Sequence, residues 1–123
     1  MKLETVRVVS DVLQNSWGKE SSNDGTYSIK HSLAQNKLTL MYTTVVHFAA
    51  ESSPQPQIEA SANMAIQLCD AKIAGLKKAF KSATGESLRL EDLGGNDSFE
   101  LISPVGPRKT AYYRYNHSFD IQE

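Results

Sequence analysis

The stretch "AYYRYNHSF", residues 111–119, decides the fold class of this sequence. Its side chains alternate with the period of two that a β-strand imposes, so odd-numbered and even-numbered residues point to opposite faces. One face carries the residues that are mainly apolar or aromatic, which are Tyr113, Tyr115, His117, Phe119 and, beyond the quoted stretch, Ile121. The other face carries Tyr112, Arg114, Asn116, Ser118 and Asp120. The pattern predicts a strand that packs its aromatic face into a core.

The same segment has a second interpretation, because it follows basic residues and combines cations with aromatic rings. In that interpretation Arg108, Lys109, Tyr112 and Arg114 are the contacts of a small nucleic-acid-binding module. A surface that stacks bases needs exposed rings beside cations, but here Arg114 and most of the rings lie on opposite faces. The chain also has 13 Lys and Arg against 14 Asp and Glu, without the basic excess typical of such proteins. Nucleic acid is therefore the less favoured partner.

The bulk properties predict one domain that is not exported. A chain of 123 residues has the size of a single domain, so residues 1–123 are interpreted as one unit. Cys69 is the only cysteine, which excludes an intrachain disulfide. The N-terminal residues contain no apolar run typical of a signal peptide, and no window approaches the roughly 20 apolar residues of a membrane span. We expect a cytoplasmic protein that is not secreted and has no membrane partner.

The N-terminal segment is compatible with two secondary structures. Leu3, Val6, Val9 and Leu13 recur at helical spacing. The β-branched run "TVRVV" would also suit a strand. We favour a helix over residues 2–15. The polar residues that follow, 18–25, are rich in turn formers and predict a loop.

The next two segments alternate as the strands of an antiparallel hairpin do. Residues 26–33 and 37–48 place apolar side chains at every second position. Between them, Asn36 is expected to take the left-handed conformation that tight turns often require. The second strand has one apolar face and one partly apolar face, which predicts a central position in the sheet.

Residues 53–83 predict one long helix. Ser53 and Pro54 form a favourable N-terminus, and Gly85 supplies a left-handed stop. A seam of apolar residues, separated alternately by four and three positions, should face the sheet. The seam consists of Ala62, Ile66, Cys69, Ile73, Leu76 and Phe80.

The last third predicts a second hairpin. Gly94 and Gly95 are interpreted as a turn. A strand follows at 98–103, and after the segment "PVGPRKT" the closing strand runs from about 111 to 121. The aromatic face of that strand should meet the helix through Phe80, Ile73 and Ile66.

No group of residues indicates catalysis, a metal site or a cofactor. The three histidines, His31, His47 and His117, lie on different predicted strands without a local ligand spacing, so we interpret them as partly buried and hydrogen-bonded. Cys69 suits the helical seam as a small buried hydrophobe, and it has no base near it in the sequence. A thiol enzyme built on Cys69 is the least favoured hypothesis. We predict that the protein is not an enzyme and uses no cofactor or metal.

A second apolar row lies nearly opposite the main seam of the long helix. It consists of Met64, Leu68, Ala71 and Gly75. A helix that covers one sheet needs a single apolar face, so a second row is typical of contact with another chain or with the N-terminal helix. The alternative is a neutral, solvent-exposed surface. We predict these four residues as an interface.

Three stretches give the chain a family resemblance. The segments "KLTLMYTTVVHF", "AGLKKAFKSATGESLRL" and "ISPVGPRKTAYYRYNHSFDI" together resemble small structural proteins of tailed bacteriophages, over about residues 26–121. The resemblance is one of layout, and no functional residue is carried over from it. It implies a virion protein that combines antiparallel hairpins with one long helix and is found in the particle or in the host cytoplasm.

The sequence therefore predicts an α+β domain. Two hairpins form a largely antiparallel sheet of about four strands, packed against one long helix and preceded by a short N-terminal helix. The predicted function is that of a non-enzymatic structural or interaction protein. It would be a subunit of a larger assembly such as a tailed-phage virion, and it would contact copies of itself or neighbouring subunits through apolar and strand-edge surfaces.

Overall fold

A computed structural model of the chain describes residues 2–16, 20–21, 27–103 and 108–122. The elements, in chain order, are α1 (Lys2–Ser16), β1 (Glu20–Ser21), β2 (Tyr27–Ala34), β3 (Lys37–Ala49), α2 (Gln55–Thr84), β4 (Leu90–Ser103) and β5 (Arg108–Ile121). Four long strands and the two-residue β1 form one antiparallel sheet in the order β1-β2-β3-β5-β4. The predicted α+β fold, with a helix before each hairpin, is confirmed.

The N-terminal segment is a helix, as favoured, and not a strand. Val9 and Leu13 of α1 are buried in the main core. The predicted loop at 18–25 is wrong at Glu20 and Ser21, which pair with Ile29 and Ser28 as strand β1. Its other residues lie outside the described part of the chain. Over the residues that are described, neither helix has both the length and the apolar character needed to cross a bilayer.

The first hairpin turns through two residues, Gln35 and Asn36, since Ala34 pairs directly with Lys37. The left-handed residue is Gln35, with a φ of 57°, so its prediction at Asn36 is wrong. Asn36 is held instead by the end of β5. Its side-chain amide donates to the carboxylate of Asp120, and its carbonyl accepts the N–H of Ile121 at 2.8 Å.

Strand β3 lies at the centre of the sheet, between β2 and β5, as predicted. The side chains on one of its faces are buried, and they are Leu38, Leu40, Tyr42, Val46 and Phe48. Its other face is more open, and Val45 there is 41% exposed. The sheet therefore has one core face and one polar, solvated face, a common arrangement in antiparallel sheets.

The long helix runs from Gln55 to Thr84, so its predicted start at Ser53 is two residues early, whereas its predicted stop at Gly85 is confirmed. Pro54 is the N-cap residue, and Ser53 Oγ accepts the N–H of Gln55 at 3.2 Å. Gly85 has a φ of 77° and donates its N–H to the carbonyl of Lys81 at 2.7 Å. This left-handed cap satisfies a carbonyl that the helix leaves free.

The predicted seam of α2 is wrong at one position. Cys69, Ile73, Leu76 and Phe80 are buried, but Ile66 is 44% exposed and the fully buried Ala65 replaces it. In a straight helix of 3.6 residues per turn, Ile66 lies about 80° around the axis from Leu76, whereas Ala65 lies within about 20°. A strict alternation of four and three drifts away from this period. The predicted contact of Ile66 with the closing strand is thus also wrong.

The predicted glycine turn at Gly94 and Gly95 is wrong, because β4 runs through both residues. Leu93 is an extra residue in the ladder, between the pairs Asp92–Phe119 and Gly94–Ser118. Gly94 has a φ of 88°, and its N–H donates to the Asp92 carboxylate at 2.7 Å. This conformation forms a β-bulge, for which glycine is the favoured residue.

Gly95 is required for a different reason. A Cβ at this position would overlap the phenol ring of Tyr115, 2.6 Å from its Cζ, and would lie 3.0 Å from the carbonyl oxygen of Asn116. The missing side chain thus makes room for the ring of the neighbouring strand.

The closing strand has the predicted orientation. Tyr113, Tyr115, Phe119 and Ile121 are buried against the helices, while Tyr112 and Arg114 lie on the other face. The strand begins at Arg108, earlier than expected, so "RKT" of the predicted connection belongs to β5. Residues 104–107 lie outside the described part of the chain.

We expect Gly95→Ala to lower the free energy of unfolding by about 1–3 kcal/mol, because the new methyl group displaces the Tyr115 ring. Gly75→Ala is the matched control, since a Cβ at Gly75 meets nothing within 4 Å. In that helical position alanine should stabilise by about 0.5–1 kcal/mol. Chemical denaturation measures both. Equal effects at the two glycines would contradict the close packing of Tyr115 on β4.

Candidate assembly surface

Strand β4 is a long edge of the sheet. It has 14 residues and pairs with β5 on one side. In the part of the chain that the structure describes, no strand pairs with its other side. An edge strand presents a row of free N–H and C=O groups that can pair with a further strand.

The regular part of this edge is bounded by two irregularities. The pairing with β5 shifts at Leu93 and again at Ile102, and between them residues 94–101 pair without interruption. Eight residues of antiparallel strand extend over about 27 Å. A partner strand therefore has one straight segment of backbone available, with a bulge at each end.

Apolar side chains are exposed along the same edge. Leu93 is 49% exposed, Leu101 41% and Ile102 44%. Half of the large apolar side chains that are exposed in the described residues belong to this strand; the others are Val45, Met64 and Ile66. Scattered exposed apolar residues are normal, but their concentration on an unpaired strand is typical of a contact surface. We call β4 with these three side chains the β4 edge.

Two hydrogen bonds from the core hold the edge in place. The Asp92 carboxylate accepts from His117 Nε2 at 2.5 Å, and the other ring nitrogen of His117 is 2.7 Å from Tyr115 Oη. Further along the strand, Tyr113 Oη donates to the Asp97 carboxylate at 2.8 Å. The N–H of Gly94, and then His117, hold the pKa of Asp92 below its usual range. These bonds fix β4 to β5 through side chains as well as through the backbone.

The four predicted interface residues of α2 are not equivalent. Leu68 is half-buried and packs on the main core, while Met64, Ala71 and Gly75 are exposed. The structure thus leaves Met64 as the one large apolar side chain that this row exposes. The predicted interface at these positions remains a prediction.

Of the four predicted nucleic-acid contacts, the three whose side chains are described lie on both faces of β5. Tyr112 and Arg114 share the solvated face, whereas Lys109 pairs with the buried Phe48 and lies on the other. Arg114 is 2.9 Å from Glu100, and its guanidinium lies 4.9 Å from the centre of the Tyr112 ring. A nearby carboxylate thus balances this cation, and the cation covers the ring. The side chain of Arg108 lies outside the described part. The arrangement disfavours a phosphate-binding surface.

The histidines and the cysteine occupy separate environments. His47 is exposed, so its predicted partial burial is wrong, although its Nδ1 is 3.2 Å from Thr110 Oγ1. His117 is partly buried and belongs to the cluster above. Cys69 is buried in the seam, as predicted, and burial, followed by the charge of Asp70, raises the pKa of its thiol to about 11. No group of three potential ligands among the described residues could hold a metal ion.

An open groove of about 690 Å³ lies between α1 and the β2–β3 turn. Its charged groups are Arg7 and Asp11, one turn apart on α1, and its remaining lining is apolar or amide-bearing apart from the hydroxyl of Ser10. Its one hydroxyl, that of Ser10, has no histidine or lysine beside it among the described residues of the lining to act as a base, and these residues hold no cluster of metal ligands. It carries no identifiable chemistry.

Comparisons with known proteins give no relatives for this chain. No protein-family model matches it, and neither a search of curated proteins nor a search of solved structures found a match.

Sequence reasoning missed the β4 edge. The segment "LEDLGGNDSFELIS" does not alternate regularly, because the bulges at Leu93 and Ile102 shift the period. Its two glycines resemble a turn. The alternation of Phe99 and Leu101 predicts a strand, but it gives no signal that the strand begins before Gly94 or lies at the edge of the sheet.

Burial of Cys69 predicts slow modification. A thiol reagent at pH 8 should label the folded protein far more slowly than the protein in denaturant, because the thiolate is both scarce and inaccessible. Labelling followed by mass spectrometry measures the two rates. Similar rates in both conditions would contradict the buried position and would favour a reactive thiol.

Proposed function

We propose that this protein is a non-enzymatic subunit of a larger protein assembly, and that it joins the assembly through the β4 edge. A strand of a neighbouring subunit pairs with residues 94–101 and extends the sheet. The observation that carries the proposal is the length of this edge together with the exposure of Leu101 and Ile102 beside it.

Strand addition suits the physical properties of the edge. The free N–H and C=O groups supply affinity in a fixed register, and apolar side chains beside them bury further surface. The strand does not have to order itself on binding, because the Asp92–His117 and Asp97–Tyr113 hydrogen bonds already hold it. A preformed surface loses less conformational entropy when it binds.

We propose further that the assembly is a tailed-phage virion. The resemblance in the layout of hairpins and helix supports this narrower proposal. Met64 on α2, exposed on the helical layer, offers a second contact for a neighbouring subunit. Two contacts on different layers would suit a subunit that joins more than one neighbour.

Leu101→Lys should weaken association by about tenfold or more, because a charge in a buried contact loses its hydration. Val45→Lys is the matched control, since Val45 has the same 41% exposure but lies on the solvated face of the central strand. Sedimentation gives the mass of each protein, alone and co-expressed with the products of the neighbouring genes. Circular dichroism confirms that each variant is folded.

At concentrations a few times the dissociation constant of the wild-type complex, the expected result is a complex with the wild type and with Val45→Lys, and mainly monomer with Leu101→Lys. A wild-type protein that stays monomeric with every neighbour tested would overturn the assembly proposal. Equal effects of the two lysines would overturn the assignment of the contact to the β4 edge.

A further inference from the structure

We infer that the strand received by the β4 edge is a cationic segment of a different protein, with one lysine or arginine opposite Asp97 and another opposite Glu100. This inference rests on the proposed function, because it names the partner of the same edge. Three observations support it: the charges of β4, the face of the sheet on which each charged residue lies, and the poor complementarity of two β4 strands to each other.

The edge is strongly acidic. Strand β4 contains four carboxylates and no lysine or arginine; the acidic residues are Glu91, Asp92, Asp97 and Glu100. Among the described cations, Arg114 balances Glu100 from the solvated face, and Arg89 precedes the strand at its N-terminal end. His117 is bonded to Asp92. Among the residues that the structure describes, Asp97 accepts a hydrogen bond from the neutral phenol of Tyr113 and pairs with no cation, and its side chain is exposed.

A second copy of this chain is a poor partner. Pairing β4 with β4 would bring eight carboxylates and no lysine or arginine to one seam, so no register could place a cation opposite any of them. The other edge of the sheet, β1, is two residues long and cannot span residues 94–101. Opposite charge therefore points to a different chain.

The register of β4 against β5 tells which side chains a partner strand would meet. Asp97, Phe99 and Leu101 pair with Tyr115, Tyr113 and Ala111 and so lie on the core face. Asn96, Ser98 and Glu100 pair with Asn116, Arg114 and Tyr112 on the solvated face. Because residues opposite one another share a face, the partner's side chains must match each face separately.

The match defines a sequence pattern. An antiparallel partner needs apolar residues opposite Leu101 and Phe99, which expose apolar surface on the core face. It needs one cation opposite Glu100 and a second cation opposite Asp97. Opposite Ser98 and Asn96 it needs one small polar residue each. The two cations are three positions apart and on opposite faces, and the apolar residues are two apart on one face. The Glu100 carboxylate can accept such a cation in addition to Arg114, because the Glu100 side chain is still 66% exposed.

A tethered strand tests the inference without requiring the natural partner. We would append to the full chain, after a flexible linker of about 20 residues, an eight-residue strand with the cationic pattern. The linker holds the strand at a high effective concentration, so even a weak pairing is populated. One control tail carries glutamate in place of the two cations. The other is a glycine–serine tail of equal length.

Amide hydrogen exchange along β4 reports strand addition. The cationic tail should slow the exchange of the outward-facing amides of residues 94–101 by about tenfold relative to the glycine–serine tail, which corresponds to about 1.4 kcal/mol. The glutamate tail should give little protection. High salt should reduce the difference between the two patterned tails, because it screens exposed charges.

Two other outcomes separate the failure of this inference from that of the proposed function. Equal protection by the cationic and glutamate tails would overturn the cationic partner and leave the edge as a strand-receiving surface. Protection by neither tail beyond the glycine–serine control would overturn both.

Discussion

The alternation of β5 is the constraint on which the rest of the structure depends. This strand pairs with β3 on one side and with β4 on the other, so its backbone hydrogen bonds join the two hairpins into one sheet. Its buried tyrosines and Phe119 form much of the apolar surface on which α2 packs. A shift of one residue in its register would exchange the aromatic and polar faces and would turn that apolar surface towards solvent. The same pairing leaves β4 on the outside.

The sequence predicts well those elements that a single short-range pattern governs. The faces of β3 and β5, the left-handed stop at Gly85 and the buried Cys69 all follow from local period or local conformation. The prediction that Ile66 belongs to the buried seam is wrong, because a four-three spacing and the 3.6-residue helical period diverge over several turns. The left-handed residue of the first turn is Gln35 and not Asn36, whose side chain bonds to Asp120, a residue distant in the sequence. The roles of the two β4 glycines also depend on distant pairing, since Gly95 makes room for Tyr115 and Gly94 follows the bulge in the ladder with β5. The candidate surface could not be predicted, since an edge is defined by the order of strands in the sheet.

The charges of β4 have two physical consequences. Charged residues and bulges on an edge strand are common means of preventing aggregation between copies of a sheet. Carboxylates on this edge disfavour self-pairing in that way, while the free backbone and Leu101 still suit a strand of opposite charge. In the proposed assembly, protection from self-association and selection of a partner would arise from the same side chains, since specificity is a difference between affinities. The hydrogen bonds of Asp92 and Asp97 to β5 keep these carboxylates at fixed positions along the strand.

The most direct measurement of the central claim is amide hydrogen exchange of β4 in the isolated protein and in its assembled form. In the isolated protein, exchange should alternate along residues 94–101, slow where an amide bonds to β5 and fast where it faces outwards. In the assembly both sets should be slow. Uniform protection in the isolated protein would show that the edge is already covered. An alternation that persists unchanged in the assembly would show that partners bind elsewhere. Either result would contradict the account.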